Sequence, residues 1–294
     1  MTVVSTDLAA LAAPSVRRRG AWAYIRRHPT IVIGGTLLGL MALMAIFAPY
    51  LGTVDPQALS PIRRLRWPSA QYWFGTDMLG RDVYSRTIYG ARISLTVGIS
   101  VALLASSVGL VIGLITGFSR WTDAIVMRIM DGLMSIPAIL IAIALMALTR
   151  ASLENVIFAI TVADVPRVTR LVRGVVLTLR ELPFVEAAHA SGTGFVRILW
   201  RHILPNTLPP LLVQGTFVAA SAMIVEAILS FLGAGTPPNI PSWGNIMAEG
   251  RSLFQVAYYI VLIPGALLSI TVLAINLLGD GLRDALDPRL ARRM

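Results

Sequence analysis

From Ile31 to Leu51, from Ile93 to Phe118 and from Tyr258 to Leu278 the chain carries no charged side chain. A helix that crosses a bilayer needs about 20 mostly apolar residues, so these runs constrain the fold more than any motif does. Composition agrees: 56% of residues are hydrophobic and 14% charged, with a mean hydropathy of +0.74. A soluble domain carries about a quarter charged residues. The reading is an all-α membrane protein with about six transmembrane helices.

The expected spans are Ile31 to Leu51, Arg92 to Phe118, Ala124 to Leu148 with Pro137 inside, Leu153 to about Val165 ending at Pro166, Leu208 to Leu232, and Tyr258 to Leu278 containing Pro264. Proline inside a span is tolerable where neighbouring helices or water satisfy the freed carbonyl. A cleaved signal peptide would have a shorter apolar region, and Pro49 follows Ala48 where a small-residue cleavage site would lie. The first span therefore reads as an uncleaved helix. The organisation expected is an N-terminal tail over 1–30, a first helix over 31–51, a polar segment over 52–91, a five-helix core over 92–282 with a loop at 166–207, and a tail over 283–294.

Arginine sets the orientation, because cytoplasmic loops carry an excess of Lys and Arg. With both termini inside, the inside segments hold 16 arginines and the outside ones seven. The exception is segment 52–91, with Arg63, Arg64, Arg66, Arg81 and Arg86 against Asp55, Asp77 and Asp82. The net charge of +10 is scattered between apolar runs and forms no single stripe, so nucleic acid is not an expected partner. The chain has no cysteine, which excludes disulfides and thiolate metal sites. It also has no lysine, so no phosphate-cradling Gly-Lys-Ser/Thr motif exists. Its histidines, His28, His189 and His202, have no neighbouring cysteine or paired acids. No catalytic or metal residues are expected.

In the second span Ala105, Gly109, Gly113 and Gly117 recur every four residues. Small residues at that spacing make a smooth ridge for close helix packing. Arg128 and Asp131, three apart, can pair on one helix face. Glu226 should face either the bundle or a transport pathway. Asp164 is expected at the headgroup boundary, in water. Asn276 is expected to hydrogen-bond a neighbouring helix. Intramembrane polar groups are functional candidates by default.

The most informative stretch lies in the loop at 166–207. Pro183 suits a first helical turn. Glu186 sits near the positive end of the helix that begins there. Gly192 suits its stop. Ala187, Ala188 and Ala190 leave one side nearly flat, as a helix gripped by another protein would be. A second short helix, Phe195 to Ile203, is expected to halt at Pro205. An interfacial amphipathic helix is the alternative, and the few large apolar residues of the first helix speak against it.

Glu186-Ala187-Ala188, then Gly192, then Ile203-Leu204-Pro205-Asn206 resembles the EAA loop of binding-protein-dependent ABC importer permeases. Three more blocks resemble the dipeptide, oligopeptide and nickel branch, C-type subunit: Phe74 to Arg92, Ser230 to Arg251, and Asn276 to Arg289. The resemblance covers about residues 22 to 290. One departure is Ala163-Asp164, where the family usually has a tryptophan before the proline. The resemblance implies a type I importer bundle in the inner membrane, with both termini cytoplasmic. It implies that Glu186, Ala187, Ala188, Gly192, His202 and Pro205 meet a partner ATPase. It also implies a sister permease, two ATP-binding cassette subunits that hold ATP and Mg, and an extracytoplasmic substrate-binding protein. That protein would dock on segments 52–91 and 233–257, with Asp77, Arg81, Asp82 and Trp243 as candidate contacts. The implied activity is import of di- or oligopeptides, with no catalysis and no cofactor in this chain. A nickel or metal-chelate permease is the alternative within the family. A stand-alone secondary transporter is the alternative outside it, and would predict inverted repeats, which are not seen.

Overall fold

The computed structural model describes residues 29–286, and its long helices coincide with the charge-poor stretches. The basic clusters Arg17 to Arg19 and Arg26 to His28, and the Asp287-Pro288-Arg289 end of the C-terminal block, lie outside the described residues. Helix α1 is Pro29–Ile46. Helix α2, Val83–Phe118, is 36 residues long and is started by Asp82, whose carboxylate accepts the Ser85 N–H at 2.8 Å. Then follow α3, Arg120–Met134, and α4, Ala138–Leu148. Helix α5 is Leu153–Leu179 and α6 is Pro183–Ala190. Helix α7 runs over Phe195–Phe231. The last two are α8, Trp243–Gly250, and α9, Tyr259–Leu286.

Helices α1, α2, α7 and α9 are long and apolar enough to cross a membrane, and α3 with α4 forms a fifth candidate bent by 89°. Helix α5 has 27 residues, about 40 Å at 1.5 Å per residue, but carries Glu154, Asp164, Arg167, Arg170 and Arg173.

Four expected boundaries are corrected. The second helix begins at Val83, not Arg92, because the Asp82 cap starts it earlier. The third span is two helices. Pro137 disfavours helical backbone at the residue before it, and the chain breaks across Ser135 to Pro137. The fourth helix does not stop at Pro166; that proline is buried inside it and the helix continues to Leu179. Its continuation is held by ion pairs to α3: Arg170 with Asp131, and Arg173 with both carboxylate oxygens of Asp123. The loop that carries Glu186 therefore leaves this helix at Arg180 instead of at residue 166. Nor does Pro205 halt the helix from Phe195. One π turn at Leu199–Ile203 intervenes, with the Leu204 N–H reaching back to the Leu199 carbonyl. Pro205 then falls in the first turn of the regular α-helical stretch Leu204–Phe231, where a missing N–H is tolerated.

Helix α2 is the axis of the packing. Its small-residue ridge meets α5: a Cβ at Gly109 would lie 2.6 Å from Val168, at Gly113 2.6 Å from Val172, and at Gly117 2.6 Å from Val176. A Cβ at Gly98 would lie 2.8 Å from Met223 of α7, and one at Gly90 3.1 Å from Trp243 of α8. Helix α1 lies against α9, where Gly34 meets the backbone at Ala274 and Leu278. The end of α1 is closed from α2: Arg92 donates to the Ala45 carbonyl at 2.6 Å and the Ile46 carbonyl at 2.9 Å. Cations are favourable at that end of a helix.

Candidate functional site

Helix α6 is a fixed protrusion at the end of the bundle where α2 and α5 finish. Pro183 lies on its first turn. Its last turn closes with the Gly192 N–H on the His189 carbonyl at 2.9 Å and the Thr193 N–H on the Ala188 carbonyl at 3.1 Å. That is the Schellman pattern, which needs a left-handed residue; Gly192 supplies it at φ +74°.

The inner side of the loop belongs to the core. Val185, Ile198 and Ile203 are fully buried in one cluster with Val176. Two clamps tie the loop to the end of α2. Arg180 Nη1 donates to the Gly117 carbonyl at 3.2 Å, and the Phe195 ring meets Phe118 edge-on at 4.5 Å between centroids. The outer side is open. Glu186, Ala187, His189, Ala190 and Pro205 are exposed, and Ala188 and His202 half-buried. The His202 ring lies 6.1 Å from that of Phe184. Phe184, Val196 and Trp200 also keep much of their surface in the open, Trp200 as much as 66%. Thus Glu186, Ala187, Ala188 and Gly192 share one small helix and its stop, and His202 and Pro205 flank it. Exposed apolar side chains beside an acid, on backbone clamped from below, suit docking to another protein. The sequence reading missed the clamps Arg180, Phe118 and Phe195. A phenylalanine closing the second span and another just after the Gly192 stop were the available signal.

At the opposite end, the residues expected to face a binding protein point inward. Asp77, Arg81 and Trp243 are buried. Asp77 accepts from Arg81 Nε at 2.7 Å and from Arg86 Nη1 at 2.6 Å. Arg86 also bonds Glu249 of α8, at 2.6 and 3.1 Å, and Arg81 reaches the same carboxylate. Two acids and two arginines so make one neutral network that fastens the 52–82 segment and α2 to α8. Asp82 serves as the α2 cap. Trp243 donates its indole N–H to the Thr87 carbonyl at 3.0 Å. The exposed groups of this segment are instead Arg63, Arg64, Arg66 and Trp67. Two of the five arginines that opposed the expected orientation are therefore neutralised within the protein.

The intramembrane candidates do not converge. Arg128 does not pair with Asp131: Arg128 is exposed with no ion-pair partner among the described residues, while Asp131 pairs with Arg170. Helix α5, continuing past Pro166, brings a better-placed arginine across from Asp131. Asp164 is buried, not solvated, with Arg167 at 3.7 Å. Asn276 is half-buried and makes no side-chain hydrogen bond among the described residues. Glu226 is fully buried beneath the turn joining α7 to α8. It accepts from Ser230 at 2.9 Å and from Thr236 at 3.4 Å, and Asn245 binds the Thr236 hydroxyl at 2.8 Å. Glu226→Ala, which leaves those hydroxyls short of an acceptor, should lower stability by about 1–3 kcal/mol. Glu226→Gln, which keeps an acceptor oxygen, should lose much less. Equal thermal denaturation midpoints for the two variants would remove this role. No group of three or more His, Cys, Asp or Glu placed to hold a metal ion occurs among the described residues.

Two family models match the chain. The binding-protein-dependent transport system inner membrane component covers residues 109–292, and the N-terminal TM domain of oligopeptide transport permease C covers residues 17–68. A probable peptide ABC transporter permease protein of Sinorhizobium fredii is 52% identical over 98% of this chain and 99% of its own length. A dipeptide transport system permease protein of Alkalihalophilus pseudofirmus is 42% identical over 92% of this chain and 90% of its own. Among solved structures, a chain of the MetNI methionine ABC transporter in an inward-facing conformation matches with a TM-score of 0.56. That likeness covers 69% of this chain and 96% of the other at 23% identity, and concerns the fold.

Proposed function

We propose that this chain, which belongs to the family of inner membrane components of binding-protein-dependent transport systems, is the permease subunit of an ATP-driven importer of di- or oligopeptides. The observation that carries the coupling half of this reading is α6: a short helix with an exposed acid, begun by Pro183, closed by the Gly192 stop and clamped to the end of α2. A motion applied to it cannot be absorbed locally, because Arg180 and Phe195 tie it to Gly117 and Phe118. The peptide half rests on the names borne by its relatives.

In this reading two ATPase subunits bind ATP and Mg and grip the loop around Glu186, Ala187, Ala188, Gly192, His202 and Pro205. ATP is hydrolysed there, not on this chain. A sister permease completes the pathway. The α6 end faces the cytoplasm, with the tails at 1–30 and 283–294. The opposite end, in the inner membrane's outer face, receives the loaded binding protein. Since Asp77, Arg81 and Trp243 are internal, its contacts fall on exposed groups such as Arg63, Arg64, Arg66 and Trp67. A ligand shifts a conformational equilibrium only through differential affinity for the two states; here ATP at the partner supplies that difference.

Glu186→Lys tests the coupling. In proteoliposomes with its partners, peptide uptake and binding-protein-stimulated ATP hydrolysis should fall at least tenfold, on the order of 1.4 kcal/mol or more. Protein yield and thermal denaturation should stay unchanged, because Glu186 is exposed. Uptake at the parental rate would end the assignment.

A further inference from the structure

Beyond transport, the structure holds a groove that fits one class of ligand. Between α1 and α2, a cavity of 390 Å³ is lined by Ala42, Ala45, Ile46, Arg92, Leu95, Thr96 and Ile99. A second, of 350 Å³ and almost wholly apolar, lies among α1, α2, α7 and α9. Both are lined by Ala42, Leu95 and Ile99, so they adjoin along one groove between these helices. Small residues hollow it: Gly98, Ala102, Gly215 and Ala219 line the second part. Its rim residues Ile99 and Leu103 are 56% and 63% exposed on α2, a helix long and apolar enough to cross a membrane.

The polar end is a single arginine. Arg92 is exposed and lies 5.5 Å from the centre of the Tyr89 ring. Two of its five N–H donors serve the last carbonyls of α1. Three donors remain, and no acid pairs with it among the described residues. A guanidinium at that depth suits a phosphate, which it can bind through two parallel hydrogen bonds. The hydrocarbon side of the groove has one polar side chain, Thr216, and its hydroxyl donates to the Val213 carbonyl of its own helix at 2.7 Å.

We propose that this groove binds a phospholipid, with the phosphate on Arg92 and an acyl chain running past Ala42, Leu95 and Ile99 toward Leu38 and Leu212. The match is one of charge at the mouth and of polarity along the length. The lipid occupies the leaflet at the end of α1 remote from α6. This inference rests on the membrane location of the family and not on peptide cargo or on coupling.

The test is native mass spectrometry of the assembled transporter, released from mild detergent. The parent should retain phospholipid. Ala42→Trp fills the groove and should reduce retention at least fivefold, whereas Leu43→Trp, on the exposed face of the same helix, should not. Arg92→Gln should reduce retention severalfold and should reduce anionic lipids most. Parental retention in Ala42→Trp would overturn the site. Loss in Ala42→Trp with none in Arg92→Gln would overturn the headgroup assignment. Because the chain has no cysteine, a single cysteine placed at Ala42 gives a further arm. Its efficient cross-linking to the sister permease in native membranes would show a subunit interface instead of lipid. Peptide uptake by the Leu43→Trp control tests the transport reading separately.

Discussion

Arg86→Met should destabilise the protein by about 3–5 kcal/mol, the effect of removing one partner from a buried ion pair. Arg86 is 1% exposed and touches both acids of its network, Asp77 and Glu249. Without it, two carboxylates share the single guanidinium of Arg81. The sharper result is the double variant Arg86→Met, Glu249→Leu. It leaves Asp77 paired with Arg81 at 2.7 Å and no charge in excess. It should therefore be less destabilised than the sum of the two single variants, by about 0.5–3 kcal/mol. Thermal denaturation of the purified transporter measures all four states. Strict additivity would mean that these charges act independently, against the geometry described.

The second large effect concerns the ridge. Gly113→Ala should cost about 1–3 kcal/mol, because the added methyl would stand 2.6 Å from Val172 and both helices are packed along that line. Replacing Gly109, Gly113 and Gly117 together by alanine should prevent accumulation of folded protein in the membrane. The contrast is Gly39 of α1, where a Cβ meets nothing within 4 Å. Gly39→Ala should be neutral or slightly stabilising, since alanine is the better helix former. If Gly113→Ala and Gly39→Ala denature alike, the ridge is not what sets the α2–α5 distance.

The charge-free runs made the membrane helices legible in the sequence, and the four-residue spacing of Ala105 to Gly117 made their closest contact legible as well. The short helix around Glu186 was readable because Pro183, Glu186 and Gly192 are local signals of helix start and stop. What escaped were effects decided across the fold. Pro166 and Pro205 are both breakers by local rule. The first lies in a helix whose continuation seats Val168, Val172 and Val176 on the α2 ridge, with ion pairs to Asp123 and Asp131 beside it; the second follows a π turn that shifts the register. Asp77 and Arg81 lie in a polar, loop-like segment, and nothing local says that Glu249, some 170 residues later, bonds Arg81 and Arg86 and so closes a network around Asp77. Charge alone suggested outward-facing residues; burial depends on the partner.

The continuity of α2 has a mechanical consequence. One unbroken rod of 36 residues, about 54 Å long, runs from the Arg86 network to the clamps under α6. A rod of that length is a lever. A tilt of only about 5° about one end displaces the other by about 5 Å, close to one helical pitch. A small rocking motion delivered at one face of the membrane thus becomes a displacement large enough to open or shut a passage at the other, with no joint in between to dissipate it.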